Sequence, residues 1–188
     1  MTKSTATCTV VLFLLLTNLL SAQTSALSSI SMIPEKSIIE SAAASENLKT
    51  LMAIIRAADL EDILSNDGPF TVFAPSDTAF QKFSKEKMAH LFHPANKKEL
   101  FALLTYHIVA GNFTGAKILK ALSQGEGEAS FTTIQGTEIK ATLRGIDIIL
   151  TDHLGNSAAI TTADAAQCNG VIHEIDGVIV PKSGNFLP

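Results

Sequence analysis

Three groupings in this 188-residue chain hold side chains able to do chemistry. His90-Leu-Phe-His93 sets two imidazoles about one helical turn apart, a spacing that could present both to one metal ion. No Cys or Glu completes that set, Pro94 ends the helix, and a structural site ordinarily takes four ligands, so no metal is expected. Ser76-Asp77 with His107 or His173 offers a hydroxyl, a carboxylate and an imidazole, the material of nucleophilic catalysis. The chain has no Gly-x-Ser-x-Gly elbow to expose such a serine, and Ser76 is better explained as a helix cap. Tyr106-His107 is the third grouping. Tyr106 is the only tyrosine, and it lies where a helix passes into the apolar strand Ile108-Val109. A buried Tyr or His usually finds a hydrogen-bond partner, so the pair is expected to bridge helix and sheet as a satisfied polar unit. Such a pair can fix a surface ridge that matters for binding without touching the partner; direct ligand contact is the alternative. His153 sits in a polar loop and carries no comparable signal. None of these groupings implies a cofactor.

The elements that position these residues read as follows. Asn169-Gly170 is a turn signal, and the run from Val171 to Val180 alternates in period 2 until Pro181 closes it. Val171, His173, Ile175 and Ile179 share one face, so His173 points inward as a core hydrogen-bonding residue. Glu174 and Asp176 fall on the other face. Gly177 predicts a bulge or a close backbone approach. Far upstream, Thr71-Val-Phe-Ala-Pro-Ser-Asp-Thr-Ala-Phe80 compresses a buried strand, a turn at Pro75 and a helix start into ten residues. Pro75 cannot donate to a ladder, and Ser76 and Asp77 can cap the new helix. This segment looks built to pair with the closing strand.

Elsewhere the first half is helical. Leu48, Leu51, Met52, Ile55 and Ala58 fall at helical spacing, predicting a helix over Glu46 to Ala58 with Ser45 as its N-cap. Short helices are expected at Leu60 to Ser65, Lys85 to Phe92, Lys97 to Tyr106 and Ala116 to Leu122. The second half changes to short strands at Ala129 to Ile134, Thr137 to Leu143, Ile146 to Thr151 and Ala158 to Ala163. Turn residues separate them at Gly136, Arg144-Gly145 and Leu154-Gly-Asn156, which suggests antiparallel strands in a sandwich or partial barrel. Helices first and strands later define an α+β fold.

The first 26 residues read as a secretory signal peptide, with Lys3, an apolar core from Val10 to Leu20 and small residues after it; cleavage after Ala22 and after Ala26 both fit. That core is about half the ~20 residues of a membrane span, so no integral span is expected. The C-terminal tail, 183–188, lacks the hydrophobic stretch of a glycolipid anchor. One domain of 34–182 remains. Without Lys3 the chain has 13 basic against 18 acidic residues, a charge of about −5. No basic run stands out, so nucleic acid is not an expected partner. Cys8 leaves with the signal, and Cys168 is expected as a buried free thiol, with a reactive thiol or a dimer link as the alternative, in a fold that rests on its core.

Thr71 to Phe80, Tyr106-His107 and Asn169 to Pro181 resemble, in order and spacing, the first, central and second motifs of fasciclin (FAS1) domains. The resemblance runs from about Ile38 to Pro181. It implies a β-sandwich wedge wrapped by several helices, with the first and last motifs paired in the core. Thr71, Phe73, Pro75, Asp77, Phe80, Asn169, Gly170, His173, Asp176 and Pro181 are then structural motif residues, and Tyr106, His107 and Asp164 are candidate interaction residues. It also implies non-catalytic adhesion outside the cell or in the periplasm, through an extracellular protein or a polysaccharide; a weak homo-oligomer is a separate expectation. A carbohydrate-binding module of an exported matrix is the alternative, and an uncharacterised hydrolase a more distant one. Some animal members engage integrins through an Asp-Ile pair ahead of the second motif; here Asp164 precedes Ala165, so half of that element is missing. With no Pro/Thr-rich stalk, the chain looks most like the small secreted bacterial type. Asn112-Phe-Thr114 is a glycosylation acceptor if the source is eukaryotic.

Overall fold

The computed structural model describes residues 34–182; the signal-peptide reading of residues 1–26 and the tail 183–188 lie outside the described residues. The first helix among the described residues, α1 (Ile38–Ala44), was not expected from apolar spacing. Its signal is a capping box, in which Ser37 Oγ accepts from the Glu40 amide and Glu40 returns a bond to the Ser37 amide. Helix α2 (Lys49–Ala57) buries Leu51, Met52, Ile54 and Ile55 on one side. It begins three residues later than the spacing predicted, and Ser45 is not its cap. Leu48 stands at that position with no side-chain bond; the Thr50 amide instead donates to Asp77 Oδ1 at 2.7 Å. Because the Asp77 amide donates to Asn47 O at 2.7 Å, Asp77 staples the start of α2 to α4, 27 residues along the chain from Thr50. Only the folded chain brings that acceptor to α2.

Helix α3 (Glu61–Asn66) leads to strand β1 (Phe70–Pro75), after which Ser76 caps α4 (Asp77–Lys82) by accepting from the Ala79 amide. Helices α5 (Lys85–Leu91) and α6 (Lys97–Tyr106) follow, joined by a 3₁₀ turn at Pro94–Asn96. Strand β2 (Ile108–Ala110) and helix α7 (Gly115–Gln124) complete the first half. The remaining strands are β3 (Glu128–Thr132), β4 (Glu138–Arg144), β5 (Asp147–Thr151), β6 (Ser157–Gln167) and β7 (Gly170–Ile175).

These strands form one sheet in the order β2-β1-β7-β6-β5-β4-β3. The expected pairing of the two long motifs is present and parallel, running from Phe70↔Gly170 to Pro75↔Ile175. All other ladders are antiparallel. Strand β6 pairs first with β5 and then with β7, with two register shifts between Ile160 and Ala165. Such irregularities bend a strand and raise its twist. At the far ends, Val109 bridges to Thr133 and the Ile134 amide donates to Ile108 O at 2.8 Å. The sheet thus folds back on itself as a wedge that is close to a barrel, and the fold is α+β.

Two apolar clusters explain the burial. Ile54, Leu60, Leu64 and Leu103 pack with Val72, Ala74 and Ile172 on the helical side. Phe73, Tyr106, Phe131, Leu150, Ile175 and Ile179 fill the wedge. Strands β1 and β7 lie between them, so both faces of β7 are buried, as for parallel strands covered on two sides. The face of β7 opposite His173 is therefore not a solvent face: Ile172 is core, and Glu174 within the strand and Asp176 just past its end are partly exposed. Gly177 does mark a close approach, since a Cβ there would lie 3.0 Å from Ser157 O.

Candidate functional site

The motif residues converge on the β1–β7 pair and its flanks. Gly170 has φ +152°, and a Cβ there would collide with the Phe70 carbonyl oxygen; only glycine lets the two strands start side by side. Asn169 does more than open a turn. Its Oδ1 accepts from the Ile38 amide at 2.9 Å, and its Nδ2 donates to Leu64 O at 2.8 Å and Asp67 O at 3.1 Å. One side chain thereby ties α1 and the end of α3 to the start of β7. Thr71 Oγ1 donates to Gly111 O at 2.6 Å and accepts from the Phe113 amide at 2.8 Å, fixing the segment after β2.

His173 is fully buried and stacks on Phe73 with ring centroids 5.7 Å apart. The Asp164 amide donates to His173 Nδ1 at 3.2 Å, so Nε2 carries the proton and donates to Phe113 O at 2.8 Å. Burial pushes the imidazole below its ordinary pKa, against the opposing pull of the Phe113 carbonyl and the Asp164 charge. Asp164 itself has φ 63°, a left-handed conformation that Asp tolerates. Its Oδ1 accepts from the Gly115 amide at 2.6 Å, beside Thr114, the N-cap of α7. A Cβ at Gly115 would lie 2.9 Å from Asp164 Oδ2, so glycine leaves room for that carboxylate. Asp164 is exposed, yet one of its oxygens anchors α7.

Tyr106 and His107 are both buried, and Tyr106 borders a surface cavity together with Glu138 and His153. The Tyr106 hydroxyl donates to Glu138 O at 3.1 Å, linking α6 to β4; burial, reinforced by the nearby Asp152 charge, raises it to about 12. His107 Nδ1 donates to Leu103 O at 2.8 Å, and Nε2 accepts from the Ile179 amide at 3.4 Å. Burial lowers its pKa to about 4, with the Leu103 carbonyl and Asp152 pulling the other way. This is the satisfied polar bridge between helix and sheet. Ser76 Oγ is engaged with the Ala79 amide and the Thr78 hydroxyl and bonds neither histidine. His90 meets Glu99 and Asn96 at 3.1 Å, and His93 Nδ1 accepts from the Ala95 amide at 3.3 Å.

Asp152 escaped the sequence reading. It is buried and collects four donors: the Leu154 and Asn156 amides at 2.9 Å, Asn156 Nδ2 at 2.8 Å and the Val180 amide at 2.9 Å. Its signal in the sequence is an Asp three residues before Gly155, the chemistry of a turn start. Cys168 corrects the expectation of a buried thiol. It is exposed, because it occupies the turn between β6 and β7, where its amide donates to Lys36 O at 2.9 Å.

The geometry defines a class before a family. The wedge matches a solved FAS1 domain pair from the insect cell adhesion molecule fasciclin I with a TM-score of 0.68 at 19% identity, covering 80% of this chain and 52% of that one. The chain spans about half of that two-domain structure. The chain belongs to the fasciclin family, whose domain model matches residues 46–181. Protein sll1483 of Synechocystis sp. is 38% identical over 145 residues, covering 77% of this chain and 73% of that protein. Human periostin is 30% identical over 147 residues, covering 78% of this chain and 16% of periostin. This membership supports a general adhesion-type module, a family typically without catalysis. Among the described residues, no helix is long and apolar enough to cross a membrane.

Proposed function

We propose that this protein is an exported, non-catalytic adhesion module that binds an extracellular protein or polysaccharide at the cell surface. The observation that carries the reading is the fasciclin match across the folded domain, joined by an N-terminus with the order of a signal peptide. The polar groups that suggested an enzyme are spoken for: His107, His173 and Ser76 each bond within the fold. His173 holds the Asp164 bend and the segment ahead of α7, Ser76 caps α4, and His107 ties α6 to the segment after β7.

The test is attachment of cells or matrix to surfaces coated with the full chain, against albumin-coated surfaces. Attachment above that background is expected, and none above it overturns the reading. Tyr106→Ala removes the hydroxyl bond to Glu138 and opens the wedge, so melting temperature and attachment should fall together. Loss of attachment with unchanged melting would instead make Tyr106 a contact residue and refute the scaffold role.

A further inference from the structure

The loop from Asp152 to Asn156 separates two surface cavities of about 740 and 530 Å³. The larger is walled by α4 and the start of α5 on one side, with Lys82, Phe83 and Lys87, and by Leu154, Asn156 and Asp176 on the other. The smaller holds Lys140, Lys182, His153 and Glu138. The same loop and the segment after β7 border both, through Val180 in one and Lys182 in the other. The two cavities share no lining residue, and this loop with the segment after β7 links them as the two parts of one groove.

The lining has a definite chemistry. Four of the domain's 13 basic residues stand here, in a domain whose net charge is about −5. They are interleaved with acceptors rather than clustered alone. Lys82 Nζ donates to Asp176 O at 3.0 Å and lies 3.6 Å from Oδ2, an exposed pair that exchanges readily with a competing anion. Asp176 Oδ1 is already held by the Ala159 amide at 2.7 Å. Lys87 sits 5.7 Å from the Phe83 ring centroid, placing a cation beside an aromatic face. Asp152 braces the dividing loop with four hydrogen bonds, so that wall is preformed, which lowers the ordering cost of binding.

Ammonium groups match carboxylates. Asp176, Glu138 and the Asn156 amide match hydroxyl donors, and Phe83 and Leu154 offer apolar surface to the C–H face of a sugar ring. A chain rich in hydroxyls and bearing carboxylates satisfies all three. A phosphodiester backbone supplies few donors to those acceptors, whereas each ring of a uronate chain brings hydroxyls to them as well as a carboxylate for the lysines. We infer that this two-part groove binds an acidic, carboxylate-bearing linear polysaccharide. The inference rests on the adhesion reading and names the ligand class for it.

The experiment is affinity electrophoresis of the full chain in gels containing polygalacturonate, with dextran and single-stranded DNA as comparison polymers. Retardation by polygalacturonate alone is expected. Lys82→Gln/Lys87→Gln and Lys140→Gln/Lys182→Gln should each weaken binding roughly three- to thirtyfold, the loss of two exposed charge contacts. Lys98→Gln/Lys120→Gln, outside both cavities, should leave it unchanged. No retardation, equal retardation by DNA, or equal loss in the Lys98/Lys120 variant would overturn the inference. Attachment without polygalacturonate binding would sink the groove and spare the adhesion reading, and binding without attachment would do the reverse.

Discussion

Replacing Asn169 by Ala isolates the side chain that joins the helices to the central strands. The change removes three hydrogen bonds and leaves the Ile38 amide, part-buried at the capped start of α1, without its acceptor. An unsatisfied buried donor costs about 1–3 kcal/mol, and each ordinary bond lost contributes about 1 kcal/mol. Asp67 O is exposed and can turn to water, so its loss counts for little. The sum is about 2–4 kcal/mol, which in a domain of this size lowers Tm by about 4–16 °C. Urea unfolding followed by circular dichroism measures it, with Ser45→Ala as the comparison. Ser45 reads as a cap in the sequence, yet it bonds only the exposed Asn47 amide, so its removal should cost under about 0.5 kcal/mol. Equal effects for the two variants, or an Asn169→Ala loss below about 0.5 kcal/mol, would refute the clamp.

Gly170→Ala forces a Cβ into the Phe70 carbonyl at a φ that L residues rarely adopt; a loss of about 3–5 kcal/mol or failure to accumulate as folded protein is expected, and a melting curve like wild type would show that β1 and β7 can shift apart. For His107, the folded pKa of about 4 lies below the ordinary 6.5, so the unfolded chain takes up the proton first. Stability is then full above about pH 6.5 and falls by about 2 kcal/mol at pH 5. His107→Asn should flatten the decline of the urea midpoint between pH 7 and 5, while His173, shifted in the same direction, keeps part of it. An unchanged slope would contradict the buried neutral imidazole.

Much of the fold is written locally. The Phe70–Ala74 run, the Pro75 stop and the Ser76 cap each follow from the chemistry of one or a few neighbouring residues, and the structure places them as expected. The same holds for the inward His173, because strand parity is a local property. Residues whose role lies in distant partners read wrongly or not at all. Ser45 has the type of a cap but Asp77, remote in sequence, takes the bond at α2. Asp152 looks like any turn aspartate until Val180 arrives beside it. Cys168 follows the habit of its residue type until the turn between β6 and β7 carries it outward.

For this protein the sequence by itself determined the helix-then-strand order, the two paired motifs and the resemblance to fasciclin domains, because caps, prolines and alternation act over a few residues. Tertiary structure alone decided that Tyr106 and His107 are interior and that one oxygen of Asp164 anchors a helix. It alone set four lysines around a loop braced by a buried carboxylate. The physical reason is that burial, hydrogen-bond saturation and shared cavities are properties of chain segments far apart in sequence, and these segments meet only when the sheet folds back on itself.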